Sequence, residues 1–281
     1  MLLVLLSSAW FSASALLIKG LGPDVPVVWV VFWRNAVSLA PVAALMAWRG
    51  VGWRTKNPYG LLMRGVWGVG AMVTGFWALP RLPMANATLL GHASPLYAAL
   101  LGAAFLDEKV ERSAVGFIAL AFLGLYLATP PLEGAAVLPT VAAFVSGLFS
   151  GLAFTALRQA ASTDEPMRVV FYYALVGTGV FLLPLLFSGF RPTGRQALLL
   201  FGVGASSTVG QLLMSSGFGK TPVAKASLAT MFTVVLNFLG AWALWGERPD
   251  ASTWAGCALI LLGILGLSDG FRKRLLLTLS A

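Results

Sequence analysis

Apolar residues run along this chain in blocks of similar length, each closed by a short cluster of Pro, Gly and charged residues. The blocks fall at 2–19, 26–48, 61–79, 84–106, 113–129, 135–157, 167–187, 196–217, 222–245 and 252–269. A helix rises about 1.5 Å per residue, so about 20 residues cross the hydrocarbon core of a bilayer. A spanning helix also satisfies its own backbone hydrogen bonds, which lipid cannot do. The pattern therefore predicts ten transmembrane helices in an all-α integral membrane protein. In a chain of 281 residues this leaves no room for a soluble catalytic domain, so function must lie in or between the helices.

Composition agrees: 58% of residues are hydrophobic and 10% charged, against about 25% charged in soluble domains. The net charge of +9 would suit nucleic acid only if the basic residues clustered on a folded face, and here they are dispersed among the loops. Their distribution gives an orientation instead. With the N-terminus in the cytoplasm, thirteen of the nineteen Lys and Arg fall at cytoplasmic ends, Arg64, Lys109, Arg158 and Arg168 among them. Five fall at the opposite ends and Arg34 lies within a span. The positive-inside rule then puts both termini in the cytoplasm of an inner-membrane protein, with residues 271–281 a basic cytoplasmic tail. The opening segment could pass for a signal peptide, but it lacks a basic n-region. Cys257 is the only cysteine, which excludes an internal disulfide and a thiolate cluster; no metal site and no cofactor are implied.

Shifting the chain by 139 positions lays its second half on its first. LPMANATLLGHASPLYAALLGAAFLDEKVERSAVG aligns with TPVAKASLATMFTVVLNFLGAWALWGERPDASTWAG, with Pro83 on Pro222, Ala87 on Ala226, Glu108 on Glu247 and Gly124 on Gly263. The same shift puts Ser7 on Ser146 and Lys19 on Arg158. Residues 1–130 and 131–270 therefore read as two copies of a five-helix unit. Because five is odd, the second copy must enter the membrane from the opposite side. Inverted repeats of this kind mark secondary transporters that hold their substrate near the midplane at the repeat interface.

The two five-helix halves resemble the drug/metabolite transporter superfamily, and specifically its EamA-type ten-helix members. The motifs that carry the resemblance are LPMANA, SPLYAALLGAAFLDEKV, LWGERP and Arg34 in the second span. The resemblance implies ten helices around a central cavity, lined mainly by spans 1, 3, 4, 6, 8 and 9, and alternating access. It also implies export of amino acids or other small metabolites, with uptake or exchange of a compound such as S-adenosylmethionine as the alternative. Arg34 within a span could grip a carboxylate or phosphate bidentately, but the resemblance implies a structural role on a helix outside the main cavity. GHASP departs from the more apolar form common in the family, which leaves the substrate class open.

Polar groups in a span are costly unless they face the bundle interior or a wet cavity, so each is a candidate site residue. His92 is the only histidine, and its ordinary pKa of about 6.5 makes it the candidate proton carrier as well as a substrate ligand. Thr88 lies one turn away, and Pro95 removes a backbone donor and disrupts the ladder at Gly91. Gln211 belongs to a polar stripe with Ser207 and Ser215, and Thr230 and Asn237 to another with Thr233. Trp10, Trp67 and Thr74 supply aromatic and hydroxyl groups deeper than an interface belt. The expected pocket is thus His92, Thr88, Trp67, Thr74, Trp10, Gln211, Thr230 and Asn237. Pro95, Arg34, Glu108 and Glu247 take structural or gating roles, the two glutamates tying helix ends beside Lys109 and Arg248.

All ten acidic residues fall in loops or at helix ends, so proton coupling would rest on His92, and a strongly cationic substrate would find no buried counter-charge. An intramembrane hydrolase is disfavoured because no G-x-S-x-G turn occurs and no acid orients the histidine. A channel would need both gates open at once. The expected partners are a small-molecule substrate and the lipid bilayer. Gly147-x-x-x-Gly151 is a candidate helix-packing face for a homodimer, with the monomer the alternative.

Overall fold

The computed structural model describes residues 1–22, 24–78, 90, 93–106, 108, 112–128, 137–246 and 248–267, with only the backbone described at 76 and 112. Among these residues the chain forms helices: α1 (Leu2–Leu21), α2 (Val27–Trp48), α3 (Pro58–Ala78), α4 (Ser94–Phe105), α5 (Arg112–Leu127), α6 (Val137–Thr163), α7 (Pro166–Leu186), α8 (Gly194–Phe218), α9 (Val223–Thr230), α10 (Phe232–Trp245) and α11 (Ala251–Gly266). α9 and α10 are two parts of one span, interrupted at Met231. Six of the described helices are long and apolar enough to cross a membrane, counting 223–245 as one, and α4, α5 and α11 are shorter apolar helices.

Local chemistry sets several boundaries. α3 begins at Pro58, whose missing N–H is no loss in a first turn, and the Asn57 side chain accepts the Gly60 N–H at 2.8 Å. Its start is thus three residues before the apolar block that the sequence suggests. Thr193 and Gln196 form a reciprocal capping box at the head of α8. Asp250 caps α11 through the Thr253 N–H at 2.8 Å. Pro95 sits in the first turn of α4, where a proline is tolerated. Gly91 and His92, where the ladder was expected to break, lie outside the described residues. The 139-residue shift puts Met231 on His92, and each fourth span begins a helical segment just after that point, α4 at Ser94 and α10 at Phe232.

Pairing of the helices has a regular form. α1 packs against α8 and α3 against α6, while α2 packs against α7 and α5 against α11. α4 packs on α6, and α9–α10 pack on α1. Exchanging each helix with its counterpart 139 residues away converts this set of pairings into itself.

Lipid offers little hydrophobic drive for helices to associate, so close packing of small residues carries much of the interface. Gly124 of α5 lies so near α11 that a Cβ there would come within 2.5 Å of the Gly256 carbonyl oxygen. Around that contact Ile118, Ala121, Leu125, Leu228, Met231, Cys257 and Ile260 form one buried cluster. Gly147 and Gly151 are used within the chain, since a Cβ at Gly147 would meet the Leu90 carbonyl oxygen and one at Gly151 the Tyr97 Cβ, each at 2.5 Å. This glycine pair, a candidate dimer face in the sequence, is covered by the chain's own fourth span.

Candidate functional site

Between the helices lies a cavity of about 400 Å³, within the usual range of a small-molecule site. One stripe of α1 faces it, Phe11, Ser14, Ala15 and Ile18, spaced i, i+3, i+4 and i+7. α3 contributes Arg64, Gly68, Ala71, Met72 and Gly75; α6 contributes Ser146, Ser150, Ala153 and Phe154. Arg34 comes from α2, Ser94 from α4, Tyr173 from α7, Gln211 and Met214 from α8, and Thr230, Thr233 and Asn237 from the ninth span. Both fourth spans thus meet the cavity at their helix starts, and Ser94 and Thr233 are counterparts under the repeat shift.

Of the residues expected in the pocket, Gln211, Thr230 and Asn237 line it. His92 and Thr88 lie outside the described residues, as does Glu247. Trp10 does not line the cavity: it is 43% exposed on the outer face, about one residue's rotation from the Phe11 stripe. Trp67 stacks on Phe149 at 5.6 Å between ring centroids rather than facing the cavity. Thr74 donates back to the Gly70 carbonyl at 2.8 Å, satisfying its hydroxyl within its own helix.

The two arginines are the main departure. Arg34, expected to be structural, lines the cavity with its Cζ 5.9 Å from the centre of the Phe11 ring. Arg64, counted in the sequence as a residue at a cytoplasmic end, is buried with 4% exposure. Its six-residue depth in α3 follows from the start at Pro58. The Arg64 guanidinium stacks on Tyr173 at 4.3 Å and donates through Nη2 to Gln211 Oε1 at 3.3 Å. Gly68 makes room for that ring, because a Cβ there would come within 2.6 Å of Tyr173 Cε2. The sequence signal was available: Asn-Pro marks a helix start, which would have moved Arg64 three residues deeper into the span.

The remaining polar groups are mostly held. Ser14 and Ser207 share a hydrogen bond at 2.9 Å, Ser146 donates to the Ala71 carbonyl at 2.9 Å, and Thr230 donates to the Ser227 carbonyl at 2.6 Å. Asn237 Oδ1 is shielded from solvent without a donor among the described residues. The site therefore offers two cationic forks, one spare amide oxygen, several hydroxyls and apolar walls from Phe11, Ile18, Met72, Phe154 and Met214. Such a set can hold and orient a polar metabolite but shows no activated nucleophile.

One end of the bundle, that of Met1, is tightly closed. Val4, Leu157, Phe218 and Val223 are buried in one apolar cluster there. Around it Glu108 accepts from Arg158 Nε at 2.8 Å and, through its other oxygen, from the Val223 N–H at 2.7 Å. Arg158 Nη1 donates to the carbonyls of Phe218 and Gly219 at 2.9 and 2.8 Å. This knot joins the ends of α4, α6, α8 and α9 through Glu108, which the sequence reading expects to tie helix ends; its neighbour Lys109 lies outside the described residues. A second knot forms where Asp164 accepts from Arg168, from Thr55 Oγ1 at 2.8 Å and from the backbone N–H of Lys56 and Asn57 at 3.2 and 3.1 Å. Burial by itself raises the Asp164 pKa, yet these donors outweigh it and hold the carboxyl below its ordinary value.

The EamA-like transporter family model matches the chain twice, over residues 1–129 and 138–269. A pseudopaline exporter of Pseudomonas aeruginosa is 31% identical over 270 residues, 95% of each chain. An S-adenosylmethionine uptake transporter of Rickettsia felis is 24% identical, covering 92% of this chain and 88% of its own. A solved crystal structure matches with a TM-score of 0.83 at 20% identity, over 97% of both chains, which speaks to the fold alone.

Proposed function

The chain belongs to the EamA-like transporter family, and from that premise we propose that it exports small metabolites or amino acids by alternating access between two inverted five-helix halves, residues 1–130 and 131–270. Membership makes it a multi-pass membrane transporter rather than an enzyme. The observation that carries the mechanism is a largely apolar cavity with a few placed polar groups, walled by both halves, with an apolar plug and ion-pair knot shutting one end. The pairing that exchanges into itself under the repeat shift supports the inverted arrangement. Rocking one half on the other would open the shut end and close the opposite one. Export is favoured because a pseudopaline exporter is similar to this chain over nearly its whole length, and at higher identity than the S-adenosylmethionine uptake transporter.

With both termini in the cytoplasm of an inner membrane, the shut end is the cytoplasmic one. The lone His92 serves as the proton carrier, supported by the lack of any acidic side chain on the described cavity wall. Counterflow in proteoliposomes, with labelled amino acids and small metabolites at two pH values, tests both statements. Saturable counterflow that becomes pH-insensitive in His92→Ala is expected. Non-saturable flux without counterflow would replace the carrier by a channel, and an unchanged pH profile in a folded mutant would remove His92 from coupling.

A further inference from the structure

Two arginines face one cavity whose described wall contains no carboxylate. Elsewhere this protein shows what a structural arginine looks like. Arg158 is bonded to Glu108 and to two carbonyls, and Arg168 to Asp164 and the Gly52 carbonyl. Arg64 and Arg34 are different. A guanidinium carries five N–H donors, and buried Arg64 uses one of them, toward Gln211. Arg34 rests on the Phe11 ring with no hydrogen bond or ion pair from its side chain among the described residues. Cations at membrane depth are retained where they serve a solute path or find a counter-charge, and both of these line the cavity.

The two come from opposite ends of consecutive helices that both pack on α7. Arg34 lies seven residues into α2 and Arg64 six residues into α3, so their backbones attach at different levels of the cavity. Both nevertheless line the same cavity. A solute with one negative group would leave one guanidinium uncompensated, whereas a solute with two would neutralise both. We propose that the cavity binds a solute bearing at least two acidic groups, one held by Arg34 and one by Arg64, with its apolar body against Phe154 and Met72. Gln211 and Tyr173 are positioning residues: the Gln211 amide and the Tyr173 ring hold the Arg64 guanidinium on the cavity wall with donors left for a carboxylate or phosphate. The inference rests on the carrier reading above but concerns what the same cavity recognises.

The test is binding to the purified full-length protein in detergent, by calorimetry at constant ionic strength, with succinate and citrate against butyrate and the dication putrescine. Succinate and citrate should bind at least tenfold more tightly than butyrate, and putrescine should not bind. Arg34→Gln and Arg64→Gln should each bring succinate down to the butyrate level, while Arg64→Lys, which keeps charge but not the fork, should fall between. If Arg64→Gln does not fold, Arg34→Gln and Arg64→Lys decide. Equal affinity for butyrate and succinate, tighter putrescine, no dicarboxylate binding, or wild-type affinity in the folded variants overturns the proposal. Counterflow separates the two readings. Dicarboxylate binding without flux keeps this inference and removes the carrier, and flux of neutral or cationic solutes without dicarboxylate binding does the reverse.

Discussion

Glu108→Gln should loosen the shut end of the bundle. The native carboxylate takes two charge-assisted hydrogen bonds, from Arg158 Nε at 2.8 Å and from the Val223 N–H at 2.7 Å. Each such bond contributes about 1.5–3 kcal/mol when buried. The side chains of Arg158 and Glu108 are 23% and 17% exposed, so water recovers part of the loss. A glutamine can still accept from Val223, but its amide then points a donor at the Arg158 donor. A net cost of about 1.5–3 kcal/mol to the closed end follows, or roughly a 10- to 100-fold rise in the open population at 1.4 kcal/mol per decade. The assay uses the sole cysteine, Cys257, removed as Cys257→Ala, and a new thiol introduced on the cavity wall as Ser150→Cys. A small membrane-impermeant thiol reagent applied from the face that carries Met1 should label the Glu108→Gln protein about tenfold or more faster. Glu165→Gln, an exposed acid at the same end, should leave the rate unchanged. A rise of less than about threefold in a folded protein would show that this knot does not hold the end shut, since threefold corresponds to under about 1 kcal/mol.

Asp164→Ala should lower the unfolding free energy by about 2–4 kcal/mol, read from denaturation midpoints in detergent, because Arg168, Thr55 and two backbone donors lose their common acceptor. The Asp164 carboxyl lies below its unfolded value of about 3.9, so its contribution is complete above pH 4 and fades as pH falls through the lower folded value. The mutant's deficit should therefore shrink in acid, and a deficit that stays constant down to pH 2 would refute the assignment. Gly151→Leu should cost at least about 1–3 kcal/mol and reduce the yield of monodisperse protein, since its Cβ would press on Tyr97 and on the Ala98 backbone. Wild-type stability in that variant would mean that α4 and α6 are not in close contact.

Much of the architecture was legible because it depends on local chemistry. Block lengths announce the spans, and six of the described helices are long and apolar enough to cross a membrane. The site was legible only in part. Gln211, Thr230 and Asn237 stood out as polar stripes and do line the cavity. Trp10 and Thr74 were equally conspicuous but face outward or bond to their own helix, because a stripe fixes angles about one axis and says nothing of what covers each side. The plainer stripe of Phe11, Ser14, Ala15 and Ile18 was the one the bundle turned inward.

By itself the sequence determined that the chain fills a bilayer with helices, since its apolar blocks have the length of a spanning helix and a helix satisfies its own backbone hydrogen bonds in hydrocarbon. Only the tertiary structure decided which charges are inside. Arg64 and Arg158 read alike as basic residues near helix ends. Packing gave Arg158 a carboxylate and two carbonyls, and gave Arg64 an aromatic face, one amide and an open chamber. Whether a cation closes a gate or waits for a solute depends on which neighbours the fold brings within hydrogen-bond reach, and those neighbours are up to about 150 residues away along the chain.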